Sequence, residues 1–438
     1  MRGWAGTAGV LLTGMLAAAV APAAAGSAVA VAARGTIAAV RLSGPAAGLP
    51  NLVEESAVTG LNGVYCTSAS NCWAVGVRQA SEDAAVLNQM LAWNGSKWRL
   101  FPVPQPGGRG DDAYSTLNSV RCLTARDCWA VGYYIKGGAD LDQALHWNGT
   151  KWSQVPTPTP GGILSNDVNE LNDVVCTSPA NCWAVGYFGS QDTSANQALY
   201  WNGEKWSLVT TPDPAGTEAG DSNLLGSVRC SSKSACLAVG DDGLTDSASL
   251  TLNQALRWNG KKWLVQATPD PGGTMTDVAV NNLAGLACSS PASCWAAGSY
   301  GSLTEANTAN EILHWNGLKW STITVPDPDG TNPGAVNVLN WDTCVSASNC
   351  WAVGYYGAGG VYSNQAMHWN GHMWTYVIVP DPGATAQRGG NALIGARCIT
   401  ASNCWAVGLQ EKGKRLVDQI LHWNGKKWFT ADNTIVPF

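Results

Sequence analysis

Leu171-Asn172-Asp173-Val174-Val175-Cys176, five residues, Cys182-Trp183-Ala184-Val185-Gly186, then Asn196-Gln197-Ala198-Leu199-Tyr200-Trp201-Asn202-Gly203-Glu204-Lys205-Trp206 is one copy of a unit that occurs seven times. The first cysteines of the copies are Cys66, Cys122, Cys176, Cys230, Cys288, Cys344 and Cys398, 54 to 58 residues apart. The second are Cys72, Cys128, Cys182, Cys236, Cys294, Cys350 and Cys404, so all 14 cysteines belong to the repeat. Short alternations rich in Trp, Val and Tyr predict strands. Strand A runs into the first Cys, strand B opens at the second, strand C ends at the Trp before Asn-Gly, and strand D starts at the Lys-Trp after it. Asn-Gly tolerates the positive φ of a tight hairpin, and it stands at Asn94, Asn148, Asn202, Asn259, Asn316, Asn370 and Asn424. No helical periodicity shows in the repeats. Four strands per unit, seven units and a period of about 55 residues predict an all-β, seven-bladed β-propeller with four antiparallel strands per blade. A β-solenoid would have shorter repeats and no hairpin turns. Units start near 61, 117, 171, 225, 283, 339 and 393, and the ring occupies 61–438. No strand is visibly borrowed across the closure, so packing between the first and last units is expected to seal it.

The 438 residues are 45% apolar and 13% charged, with 50 Gly and 22 Trp. The low charge excludes a coiled coil or a charged disordered chain. A net charge of −6 gives no footprint for nucleic acid. Met1-Arg2, an apolar run to Val20 and Ala21-Pro22-Ala23-Ala24-Ala25 have the order of a secretory signal peptide, assigned to 1–25 with cleavage after Ala25 (Ala30 as second choice). Loss of Arg2 makes the mature charge −7. Residues 26–60 read as an Ala/Gly/Pro-rich linker. No later stretch is apolar for long enough to span a membrane.

The Cys-Trp-Ala-Val-Gly and His-Trp-Asn-Gly-x-Lys-Trp cores resemble those of secreted actinobacterial β-propeller-type repeat proteins, and more loosely kelch repeats of galactose-oxidase-like propellers. The likeness covers 61–434. It departs from kelch in having a single Gly after strand B, as at Gly76 and Gly132. It implies fold and export and carries no catalytic residue onto this chain.

Three tryptophans recur per unit, except that Leu237 replaces the strand B Trp in unit 4. They could be sugar platforms, but a residue repeated at one strand position in every blade fits wedge packing better. Zinc needs four ligands and each unit supplies two cysteines. In an exported chain the pairs read as local disulfides, Cys66–Cys72 through Cys398–Cys404. His146, His314, His368 and His422 occupy one equivalent position and are expected on strand surfaces around the ring, too far apart to share an ion. The recurring pairs Asn88-Gln89, Asp142-Gln143, Asn196-Gln197, Asn253-Gln254, Asn364-Gln365 and Asp418-Gln419 are explained by side-chain hydrogen bonds to loop backbone.

The A–B and C–D connections are uniform, whereas B–C and D–A connections vary. Function concentrates on loops held by a rigid scaffold, so the binding site is placed on the B–C/D–A face near the channel mouth. The residues just after the strand B Gly are the candidates: Arg78, Tyr133, Tyr134, Tyr187, Asp241, Asp242, Tyr300, Tyr355 and Tyr356. Asp241-Asp242 would be the paired carboxylates of a glycoside hydrolase, but neighbours on a strand point to opposite faces. No Gly-x-Ser-x-Gly, His-Glu-x-x-His or phosphate loop is present. No catalytic residue, cofactor or metal is assigned. The expected protein is a secreted, monomeric, kelch-like binding scaffold for a cell-wall or environmental glycan or an extracellular protein. It has no nucleic-acid partner and no membrane association once the leader is removed. The alternative is a secreted polysaccharide hydrolase or lyase working at the channel mouth.

Overall fold

The computed structural model describes residues 58–431 except 82, 191–192, 245–249, 276–278, 303–304, 384–388 and 414. The assigned leader, and the linker up to residue 57, lie outside the described residues. The described chain holds 28 strands and no helix, hence none long and apolar enough to cross a membrane.

The strands fall into seven four-stranded antiparallel units in chain order. Unit 3 consists of strand A (Val168–Ser178), B (Asn181–Ser190), C (Thr193–Trp201) and D (Trp206–Leu208), paired A–B, B–C and C–D. The A strands begin at Val58, Tyr114, Val168, Asp221, Ala279, Val336 and Gly389, three or four residues ahead of the recurring Leu. Their extra residues go on pairing with strand B beyond its Gly, as Val58 does with Gln79. That Gly is required by the pairing. A Cβ at Gly76, Gly132, Gly186 or Gly354 would overlap the strand A carbonyl oxygen of Gly60, Thr116, Glu170 or Val338. Directly beyond this contact strand A bulges, between Leu61 and Gly63 in unit 1.

The C–D turns form as the sequence requires. Gly95 has φ 94° and Gly203 has φ 99°, and the Asn94 side-chain Oδ1 accepts from the backbone amides of Ser96 and Lys97. These turns lie against the A–B loops, since a Cβ on Gly95 would touch Ser70. The strand C indole also donates to the A–B loop, Trp93 to the Ala69 carbonyl at 3.0 Å and Trp201 to Pro179 at 3.0 Å. All seven cysteine pairs are disulfide-bonded within their own A–B hairpin, with Cα atoms 3.9 to 4.1 Å apart, and no cysteine is free.

The hydrophobic core is divided among the joints between units. Trp73, Val75 and Met90 of unit 1 cluster with Leu117, Leu145, Trp147 and Trp152 of unit 2. In six joints the strand B Trp of one unit meets the strand C and D Trp of the next. Trp129 lies 4.9 Å from Trp201 and 5.0 Å from Trp206, and Trp351 lies 4.8 Å from Trp423 and 5.3 Å from Trp428. The tryptophans are therefore packing residues. Where Leu237 replaces the first indole, it clusters with Trp315 and Trp320 of unit 5.

Two further belts run between units. The Asn of the Leu-Asn motif donates across the joint: Asn62 to the Leu117 carbonyl, Asn118 to Leu171, Asn172 to Leu225 and Asn340 to Leu393, at 2.8 to 3.0 Å. The Asn-Gln pairs also cross it. Asn88 and Gln143, Asn196 and Gln254, and Asn310 and Gln365 exchange reciprocal amide bonds. Their assignment to loop hydrogen bonds is half the picture. The Asn does reach the link backbone, Asn88 donating to the Pro104 carbonyl, but the Gln side chain belongs to the neighbouring unit's network.

The last unit meets the first in the same manner. Trp405 packs on Trp93 and Trp98 at 4.8 and 5.3 Å, Gln89 donates to Asp418 at 2.5 Å, and Val58 pairs in parallel with Leu416. Similar parallel bridges join consecutive units, as at Thr308 with Val336. The seam thus uses side-chain packing, as expected, together with a backbone bridge and hydrogen bonds. The four equivalent histidines are half-buried on the strand surface, each against the strand B Trp of its own unit with ring centroids 4.2 to 4.5 Å apart, because the register pairs those two positions, as in Trp129 opposite His146.

Candidate functional site

The ring has two ends. One carries the disulfide-bonded A–B loops and the Asn-Gly turns. The other carries the D–A links, which are clamped to the inner strand by buried asparagines: Asn169 donates to the Asp140 and Gly162 carbonyls and accepts from the Gly161 amide.

At the link end, the residues after the strand B Gly divide by parity. The first of each pair is buried: Tyr133, Tyr187, Asp241 and Tyr355 are 0 to 6% exposed. The rim of accessible tyrosines expected there is half inside the molecule, because the first residue turns toward the joint. The Tyr133 hydroxyl lies 3.3 Å from that of Tyr114, with the rings stacked at 5.5 Å. Tyr355 packs edge-on against Tyr362. Burial drives the Tyr133 hydroxyl well above its usual range, and the nearby Glu170 adds to this. Asp241 accepts from the Asn282 amide of the next unit at 2.6 Å. Burial, then the neighbouring Asp242, pushes its carboxyl up to about 8.

The second residues, Arg78, Tyr134, Tyr300 and Tyr356, are half-buried, and Phe188 shares their position. Asp242 and Gln410 are the buried exceptions in this row. Burial, with help from Asp270 of the adjoining link, raises the Asp242 carboxyl to about 7. The structure spreads this second row around the ring, one residue per unit, beside the links. Ile163, Leu164 and Met275 of those links are 65 to 73% exposed.

The axis near the stapled end holds a cluster that sequence reasoning missed. Inner-strand residues from six units converge on it. Arg121 of unit 2 lies over the Tyr65 ring of unit 1 (5.4 Å to the centroid) and the Trp341 ring of unit 6 (5.3 Å). Arg229 of unit 4 covers Trp341 at 5.3 Å, and Arg397 of unit 7 covers Tyr65 at 4.4 Å. Guanidinium groups over aromatic faces are attracted by the ring quadrupole. Asp173 of unit 3 is fully buried and saturated with donors: Ser119 Oγ, Ser227 Oγ, the Val174 and Val228 amides and, at 2.6 Å, Arg229 Nη1. Burial works against its charge, but Arg229, Arg121 and these hydrogen bonds outweigh it and hold the carboxyl below its ordinary value. Arg121 comes no closer to it than 3.7 Å. Asp342 is buried against Gly285, and its oxygens lie near backbone amides outside hydrogen-bond geometry. Burial, partly offset by Arg229, raises its carboxyl to about 8. The available signal was an Arg just before the first Cys in units 2, 4 and 7 of a chain poor in charge. Among the described residues no group of three or more His, Cys, Asp or Glu is arranged to hold a metal ion.

No known protein family matches the chain, and no curated protein matches it by sequence. Solved β-propeller structures are similar to it. The WD40 repeats of RRP9 align at TM-score 0.46 and 8% identity, over 81% of this chain and 88% of that one. The GH74 xyloglucanase from Xanthomonas campestris aligns at 0.49 and 11%, over 86% and 55%. A PL25 ulvan lyase aligns at 0.49 and 10%, over 87% and 98%.

Proposed function

We propose that the chain is an exported, seven-bladed β-propeller that binds a glycan or an extracellular protein on its link end. The observation that carries this is the division of labour among residues. The repeated side chains are consumed by the joints, while the half-buried row Arg78, Tyr134, Phe188, Tyr300 and Tyr356 differs from unit to unit and stands on rigid hairpins beside exposed Ile163, Leu164 and Met275. Aromatic faces with scattered polar groups suit sugar rings or an amphipathic protein surface. Seven disulfides fit an oxidising compartment, which supports export.

A second reading, a polysaccharide hydrolase or lyase, draws on Asp242, whose raised carboxyl beside Asp270 resembles the environment of a general acid. Glycan arrays and extracellular-protein pull-downs with the mature chain test the first reading, with Tyr134→Ala, Tyr300→Ala and Tyr356→Ala as variants. Loss of a captured ligand in at least one variant supports the link end. Capture unchanged in all three rejects it. Release of reducing sugar from an arrayed glycan, abolished in Asp242→Asn, would favour the enzyme.

A further inference from the structure

We infer that the axial cluster at the stapled end is a binding site for a small oxyanion, held by the guanidinium groups of Arg121 and Arg397 with Arg229 beside them. The inference is independent of what the link end binds. Its basis is unused donors in a nearly closed space. Arg121 is buried, and its Nε and Nη2 have no hydrogen-bond partner; Arg397 Nε is also buried and unpartnered. Asp173 cannot serve them, because five donors already occupy it, and Arg121 stays 3.7 Å away. The aromatic neighbours hold the guanidiniums in place but offer ring faces, which do not accept in-plane N–H groups. Tyr65 gives Arg397 only its hydroxyl, at 3.4 Å.

Charge leads to the same ligand. Three guanidiniums face Asp173 and Asp342, so the cluster is cationic even with both acids ionised. Asp342 is held toward its neutral form, which widens the imbalance. A buried charge without a counter-charge is strongly unfavourable. The planar N–H fork of Arg matches carboxylate, sulfate or phosphate in paired hydrogen bonds. A route from solvent exists, since the Arg121 and Arg229 side chains keep 10 and 14% of their surface exposed. Trp341 sets the size. It stands where the other units carry Gly, Ser or Asp, and its ring lies under both Arg121 and Arg229, which narrows the axis and favours a small ion over a chain.

Calorimetric titration of the whole protein at constant ionic strength, with sodium sulfate, sodium phosphate, sodium acetate and sodium glucuronate in separate arms, tests this. One saturable site per chain is expected, weakened at least tenfold in Arg121→Gln and also in Arg397→Gln. Arg257→Gln, at an exposed strand position outside both sites, should leave it unchanged. Binding of sulfate or phosphate alone would identify an inorganic ion as the ligand, and binding of the carboxylates alone an acidic sugar or metabolite; either supports the site. Crystals soaked in selenate should show an anomalous peak between Arg121 and Arg397, a readout that needs no variant to fold. Absence of saturable binding in every arm, wild-type affinity in either arginine variant, or selenate ordered only elsewhere would overturn the inference.

Discussion

Any two neighbouring units meet through nearly the same residues, whereas the residues contributed to the axis change from unit to unit, with only units 2 and 4 supplying the same Ser and Arg. At the joints, tryptophans, the Leu-Asn amide and the Asn-Gln pair recur from unit to unit. On the inner strands, the position after the bulge reads Gly63, Ser119, Asp173, Ser227, Gly285, Trp341 and Gly395. The position before the first Cys reads Tyr65, Arg121, Val175, Arg229, Ala287, Thr343 and Arg397. The difference follows from geometry. Each joint must turn the chain through the same angle, so one solution serves throughout. The axis is shared by all units, and one large side chain repeated seven times there would collide, so six units supply the parts of one asymmetric cluster. Repetition therefore marks architecture here, and departures from it mark chemistry.

The largest expected effect lies in the joints. Trp351→Ala removes a buried indole that touches two others and should cost about 3–5 kcal/mol of unfolding free energy in guanidinium titration. A loss under 1 kcal/mol would show that the joints do not carry the fold. The staples come next. Replacing Cys176 and Cys182 together by Ala should cost about 2 kcal/mol, the chain-entropy value for so short a loop, and leave the other six pairs intact in non-reduced peptide maps; any new pairing between units would break the picture of independent hairpins.

The smallest effect concerns the link end and depends on pH. Asp241 titrates near 8 in the folded chain, raised by burial and by Asp242. A carboxyl raised in this way is protonated when folded and ionised when unfolded, so its contribution is full below about pH 4 and declines as pH rises toward 8. Asp241→Asn keeps an oxygen for Asn282 and cannot ionise. It should be close to wild type at pH 4 and more stable than wild type at pH 8, the gap widening as pH rises. Parallel stability curves for the two proteins would mean that Asp241 is solvated and accessible, which would restore it to the exposed row.

Strand order, turns and disulfide pairs were legible because each is a local property of one unit: Cys66 and Cys72 face each other across one hairpin. The partners of the repeated polar residues were not. Gln143 bonds to Asn88, 55 residues earlier, and only the closed circuit brings them together. The same reason hid the axial cluster, whose members Tyr65, Arg121 and Trp341 come from three units and share no motif. Strand parity puts the first residue after the strand B Gly inside in every unit, Tyr133 and Tyr355 included, so alternation along the strand separates buried from accessible members of the row.

Confinement of every disulfide to its own hairpin has a consequence for biogenesis. Fourteen thiols have a very large number of wrong partners, but each correct partner is the nearest in sequence and arrives within the same few residues of a growing chain. Oxidation can follow the chain as it appears, hairpin by hairpin, before the ring exists. Maturation should then need an oxidant and little help from an isomerase.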